Sequence, residues 1–210
     1  MKLYVYDHCP FCTRARLAFG LKKQPFDLAI IMEGDVETPT RLVGKKMVPI
    51  LQKDDGTSMG ESLDIVAYVD GLSGERLFAG KDEAVDAWAK DAWPLLLKLI
   101  IPRFTKGDFP ELATPEAREA YRLREEKAFG DLEALMAGTP GFIAELGPKL
   151  EALASLLEGR TAVSLSDITL WPLLRSLSIV KGVSFPTPVF VYMKRLESEG
   201  GVPLLFDQAI

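Results

Sequence analysis

The stretch Lys2-Leu3-Tyr4-Val5-Tyr6-Asp7-His8-Cys9-Pro10-Phe11-Cys12-Thr13 decides the fold. Lys2 to Tyr6 is a short apolar, aromatic and β-branched run and reads as a strand. Cys9-Pro10 then opens a helical stretch reaching about Lys23, with proline at a tolerated first-turn position. Pro25 stops that helix, because a proline cannot continue it. Phe26 to Met32 reads as a second, buried strand, and Val36 to Gly44 as a short helix with Pro39 in its first turn. Val48 to Gln52 and Thr57 to Met59 are two more strands around Lys53-Asp54-Asp55-Gly56, where Asp-Gly is a strong hairpin signal. Glu61 to Val69 has helical spacing through Leu63, Ile65, Val66 and Val69. The order is β-α-β-α-β-β-α.

After the small polar stretch Gly71-Leu72-Ser73-Gly74-Glu75 no convincing strand run appears. Residues 82 to 106, 114 to 137, 141 to 158, 165 to 180 and 187 to 199 each show helical apolar spacing, separated by proline and glycine breaks. The expectation is therefore an α/β domain over 1–72, a linker over 73–81 and an all-helical domain over 82–210. Ser164-Leu165-Ser166-Asp167 has the spacing of a capping box, with Val163 and Ile168 placed as a hydrophobic staple. Trp88, Trp93, Phe104 and Trp171 read mainly as core or interdomain packing, with a minority available to wall a cleft.

With 48% hydrophobic, 26% charged and 9% aromatic residues in 210, the chain can bury substantial cores and is not a disordered protein. The net charge of −5 is spread evenly, with 9 basic and 10 acidic residues up to Leu72 and 16 and 20 beyond it. No basic tract offers the phosphate-neutralising surface of a nucleic-acid binder. The apolar runs Leu95–Leu97 and Leu99–Ile101 are broken by Lys98 and fall far short of the roughly 20 residues that span a bilayer. Asp7 interrupts the amino-terminal region before a secretory-length apolar segment develops, so a cytoplasmic location is expected.

Only two cysteines occur, Cys9 and Cys12. A pair so close closes too small a loop to stabilise a chain this long, so its role is chemical. At a strand-to-helix junction a thiolate faces unpaired N–H groups and the positive end of the helix dipole. In such settings and in Cys-X-X-Cys motifs thiol pKa values fall from about 8.5 to roughly 3.5–7.5. Cys9 is the expected nucleophile, and Cys12, one turn further in, the resolving thiol. Zinc is disfavoured, because it wants four ligands and the single histidine, His8, adjoins Cys9. An iron–sulphur cluster shared between two chains and glutathione would evade that count. Two inert packed cysteines are the remaining reading. His8, alone on a turn, reads as exposed, although it could tune Cys9 or relay a proton. Tyr4 and Tyr6 alternate along the first strand and read as packed.

These residues resemble a known family. Tyr4-Val5-Tyr6-Asp7-His8-Cys9-Pro10-Phe11-Cys12 is similar to a glutaredoxin active site, and the helical half resembles a glutathione transferase. Together with Glu37-Thr38-Pro39-Thr40-Arg41, Val48-Pro49-Ile50-Leu51-Gln52-Lys53-Asp54-Asp55 and Trp171-Pro172-Leu173-Leu174-Arg175, the whole chain resembles the glutaredoxin 2 family. The resemblance implies a thioredoxin-like domain joined to a helical domain in a glutathione-transferase-like architecture. It implies a cis Pro49 beside Cys9, with the Val48 backbone free to bind glutathione as an added strand. It implies that Glu61 and Ser62 hold the γ-glutamyl end, where the residues alone read as an ordinary helix start. Small glutaredoxins carry Gly-Gly before this helix, whereas Met59-Gly60 supplies one glycine, so this end looks transferase-like. Lys22, Arg41 and Lys45 are candidates for the glycyl carboxylate, each also readable as a solvated surface charge.

The implied function is a glutathione-dependent thiol-disulfide oxidoreductase acting on protein disulfides and glutathione mixed disulfides. Glutathione is the co-substrate, no metal is needed, and the resemblance implies a monomer. The alternatives are a glutathione transferase using bound glutathione as nucleophile, and a non-catalytic transferase-like interaction module.

Overall fold

The computed structural model describes residues 1–210. Its first part is a four-stranded mixed sheet of order β2-β1-β3-β4, made of β1 (Lys2–Val5), β2 (Asp27–Ile30), β3 (Ile50–Gln52) and β4 (Ser58–Met59). β1 runs parallel to β2, with Leu3 opposite Leu28, and antiparallel to β3, with Leu3 opposite Leu51. Around the sheet lie α1 (Pro10–Leu21), α2 (Glu37–Val43) and α3 (Ser62–Asp70), giving the expected order. β2 departs from the buried strand read from the sequence. It pairs only with β1, and Leu28 and Ile30 are 46% and 36% exposed. An apolar run reports a preference for strand, and an edge position leaves part of it in water.

The second part comprises α4 (Glu83–Phe104), α5 (Pro115–Phe129), α6 (Leu132–Ala137), α7 (Thr139–Leu157), α8 (Leu165–Leu177) and α9 (Thr187–Gly200). The single helix read over 114–137 is two. Gly130 takes φ 79°, and the Asp131 carboxylate caps α6 by accepting from Glu133 and Ala134. α8 also stops at Leu177 rather than 180. The segment between α3 and α4 is stitched to the sheet half, as the Asp70 carboxylate accepts from the Leu77 N–H at 2.8 Å. At the start of α8 the buried Asp167 carboxylate accepts from the Ser164 N–H and the Arg160 guanidinium, and the Tyr192 hydroxyl donates to it. The acid at the capping-box position is thus the hub of a buried cluster.

The two parts share one continuous core, in which Leu17 and Phe19 of α1 are buried together with Met193 and Leu196 of α9. Gly20 makes this contact, since a Cβ there would sit 1.8 Å from the Gly200 carbonyl oxygen. Trp171 is sealed in the helical core, its Nε1 donating to the Met193 carbonyl, and Trp88 donates to the Lys149 carbonyl.

Candidate functional site at Cys9

Cys9 occupies the residue before α1, with extended backbone, Pro10 in the first helical turn and no side chain capping the helix. The end of α1 is therefore open to an anion. Both cysteines are free thiols, Cys9 partly exposed and Cys12 sealed. The Cys9 pKa is lowered to about 7. The Cys12 thiol hydrogen-bonding to the Cys9 sulfur is the largest cause, with the His8 charge and the first-turn N–H groups acting in the same direction against burial. The Cys12 thiol is pushed well above its ordinary value by burial, then by the hydrogen bond and charge of Cys9. The two sulfurs are thereby set apart, the partly exposed Cys9 losing its proton the more readily and the sealed Cys12 behind it keeping its own.

The turn carrying Cys9 is gripped from the helical part. Arg175 of α8, fully buried, donates Nη1 to the Asp7 carbonyl at 2.8 Å and Nη2 to the Asp7 carboxylate at 3.2 Å. Arg16 of α1 also pairs with Asp7. Burial would raise the Asp7 pKa, but Arg175 and Arg16 prevail and hold it below the usual carboxylate range. His8 corrects the expectation of an exposed turn residue, as it is 5% exposed. Its ring packs among Tyr6, Phe104, Phe109 and Tyr121, and its Nδ1 lies 2.6 Å from Glu111 Oε1. Residues far along the chain cover the turn, which no local pattern announces.

Cys9 opens into a cavity of about 400 Å³ between the two parts. Tyr6, His8 and Val48 line one side, and Trp93, Leu97, Ile100 and Phe104 of α4 the other. Lys46 and Arg124 stand in this wall, both pairing with the buried Glu33 carboxylate at 3.2 and 2.6 Å. Trp93 and Phe104 are thus the cleft-facing minority, and Trp88 and Trp171 the core. A second cavity of about 320 Å³ adjoins, sharing Phe11 and Trp93 and taking in Arg14, Lys81 and Lys90. Tyr6 is buried, which raises its hydroxyl pKa further above the ordinary value, so it offers no tyrosinate.

The Val48–Pro49 peptide is cis, and neither the N–H nor the C=O of Val48 is hydrogen-bonded within the protein. Ser62 begins α3, 3.5 Å from Arg14 Nη1. Glu61 before it takes φ 62°, a strained conformation for a side-chain-bearing residue, and leaves the helix start without a side-chain cap. Lys45 pairs with Glu61 at 3.1 Å, near that helix start. Lys22 lies elsewhere: it is buried and donates to the Asp70 and Glu75 carbonyls at 3.1 and 2.7 Å, so it is a structural cation and not a ligand for glutathione. Arg41 lies in the last turn of α2. Lys46, Arg124, Arg14, Glu33 and Glu111 escaped sequence reasoning, because isolated charges on helices and loops carry no spacing signal. No group of three or more His, Cys, Asp or Glu side chains is arranged to hold a metal ion. No helix is long and apolar enough to cross a membrane.

Comparison with known proteins agrees with this architecture. Residues 84–209 match the family described as glutaredoxin 2, C-terminal domain, and residues 3–76 the glutathione S-transferase N-terminal domain. Glutaredoxin 2 of Escherichia coli K12 is 43% identical over the full length of both chains. The crystal structure of glutaredoxin 2 from Salmonella typhimurium, solved in complex with glutathione, superposes with a TM-score of 0.96 at 41% identity, covering 100% of this chain and 98% of that one. A glutathione S-transferase from Rhodospirillum rubrum shares only the fold, with TM-score 0.62 and 16% identity over 100% of this chain and 93% of its own. From the paired thiols at the head of α1 to the helical half closed over them, the chain belongs to the glutaredoxin 2 family.

Proposed function

We propose that this glutaredoxin works through Cys9 as nucleophile and Cys12 as resolving thiol. The Cys9 thiolate attacks a protein disulfide or a protein–glutathione mixed disulfide, and the protein thiol departs. Cys12 then closes an intramolecular disulfide, or glutathione attacks the Cys9 mixed disulfide directly. Glutathione restores the dithiol. The observation carrying this reading is the division of the two thiols: Cys9 lowered to about 7 at an open helix end beside a cavity, Cys12 sealed and raised behind it.

The unpaired Val48 backbone next to cis Pro49 is suited to an extended peptide added as a strand. Ser62 and the uncapped start of α3 suit the γ-glutamyl carboxylate, and Glu61 its ammonium. The chain acts as a monomer on disulfide-containing and glutathionylated proteins in the cytoplasm, where the glutathione pool keeps such a dithiol reduced. Residues 1–72 form its redox unit, 73–81 a linker and 82–210 a helical unit that closes the cleft. The test is glutathione-dependent reduction of a small mixed disulfide by the native chain, Cys9→Ser and Cys12→Ser. Abolished turnover in Cys9→Ser with partial turnover in Cys12→Ser is expected. Native-like turnover in Cys9→Ser would overturn the Cys9 mechanism, and conjugation of glutathione to electrophiles would then be the activity to assay.

A further inference from the structure

We infer that His8 is the proton donor and acceptor of the thiol-exchange reaction at Cys9, and that Glu111, supplied by the helical half, is the residue that positions it. The inference rests on Cys9 being the nucleophile.

Four observations carry it. His8 precedes Cys9 in the chain and lines the same cavity. Its Nδ1 and its backbone N–H both meet Glu111 Oε1, at 2.6 and 2.9 Å. Nε2 makes no hydrogen bond within the protein, which leaves it as the nitrogen available to the cavity. Glu111 is fully buried and its Oε2 has no hydrogen-bond partner, so His8 is its one side-chain hydrogen-bond partner, with the buried Arg175 guanidinium feeling its charge from further off. A buried carboxylate without a cation is strongly disfavoured. The pair therefore sets the imidazole against a buried carboxylate on one side and the cavity that Cys9 shares on the other. Tyr6, Phe104, Phe109 and Tyr121 pack around the ring and fix its orientation. Of the groups facing it, Tyr6 and Tyr121 hydroxyls are raised by burial and keep their protons. Lys46, Arg124 and Glu125 line the same cavity, with Arg124 paired to Glu33 and Glu125.

The chemistry balances with glutathione alone. The Cys9 thiolate attacks the glutathione sulfur of the mixed disulfide; that S–S bond breaks and the Cys9–glutathione S–S bond forms. The departing protein sulfur takes the electron pair and the proton from Nε2 and leaves as a thiol. The incoming glutathione thiol then gives its proton to Nε2 and attacks the Cys9-bound glutathione sulfur, releasing oxidised glutathione and restoring the Cys9 thiolate beside imidazolium. Proton assistance matters for alkyl thiols, whose pKa is near 8.5, and not for aromatic thiols that leave as stable anions.

The experiment compares single-turnover rates of the native chain, His8→Gln and Glu111→Gln on two glutathione mixed disulfides, one releasing an alkyl thiol and one releasing thionitrobenzoate. The quantity read is the ratio of the two rates, in which any change in the Cys9 thiolate fraction cancels. His8→Gln is expected to lower that ratio about 100-fold, the lower end of what general acid catalysis supplies. Glu111→Gln is expected to lower it less, about 10-fold, because the ring loses the carboxylate that holds Nδ1 and keeps Nε2 toward the cavity, while the rate on the thionitrobenzoate substrate stays near native. An unchanged ratio in folded His8→Gln overturns the inference and leaves the pair a structural clasp; this variant decides the matter where Glu111→Gln does not fold. Turnover surviving in Cys9→Ser would overturn the nucleophile assignment separately.

Discussion

At the scale of single residues, the site depends on two neighbouring thiols having different environments. Because the Cys12 hydrogen bond is the largest cause of the lowered Cys9 pKa, its removal has a predictable sign. Alkylation of Cys9 by iodoacetamide should rise with a midpoint near pH 7 in Cys12→Ser, where a hydroxyl can still donate, and at higher pH in Cys12→Ala. A midpoint unmoved between the two would show that the helix end and His8 suffice. The cysteine pair was legible from spacing alone, since Pro-Phe between two cysteines at a strand-to-helix junction leaves few roles. The burial of His8 is not legible in the sequence, because Phe104, Phe109, Glu111 and Tyr121, which enclose it, lie far along the chain. Lys22 failed for the same reason: a lysine after a helix reads as solvated, and its partners lie on a segment 48 to 53 residues later.

At the scale of elements, periodicity located each helix, and misjudged ends trace to single residues such as Gly130, whose positive φ divides a long apolar pattern into α5 and α6. β2 shows what periodicity omits, since the run Phe26 to Met32 does not say which strand will lie at an edge. The contact of α1 with α9 offers a test in which one substitution has opposite signs at two sites. Gly20→Ala places a methyl 1.8 Å from the Gly200 carbonyl oxygen, so backbone must shift. Overpacking of this kind costs about 1–3 kcal/mol. Gly141 lies in the first turn of α7, is followed by Phe142 and not by a proline, and has nothing within 4 Å of an added Cβ, so Gly141→Ala should stabilise by about 0.4–1 kcal/mol, chiefly by restricting the unfolded chain. Urea denaturation of the two variants checks both, and a neutral Gly20→Ala would mean that α9 can move away from α1.

At the scale of the whole molecule, the helical half holds the redox turn through two buried charged groups, Arg175 on Asp7 and Glu111 on His8. Neither could be read as an interdomain clasp from the sequence, where Arg175 is one residue of an apolar helix. Burial lowers the Arg175 pKa to about 10, outweighing the attraction of Asp7, so its charge is retained at a cost. Arg175→Met should therefore cost about 3–5 kcal/mol by leaving Asp7 with Arg16 alone, and Arg175→Met combined with Asp7→Asn should recover part of it. The same clasps set an acid limit. Asp7 and Glu111 both have folded pKa values below their unfolded values of about 4, despite burial pushing them up, because Arg175 with Arg16 and His8 respectively favour the charged forms. A depressed carboxylate stabilises the fold above its unfolded pKa and loses that contribution as pH falls through its folded value. Stability from urea denaturation should accordingly be little changed by these groups between pH 7 and 5 and fall steeply below about pH 4. In Asp7→Asn the native chain's advantage at pH 7 should shrink as pH falls below 4, since only the native chain has that carboxylate to protonate. A constant difference between the two chains from pH 7 to pH 3 would show that Arg175 holds the turn through the Asp7 carbonyl and not through its charge.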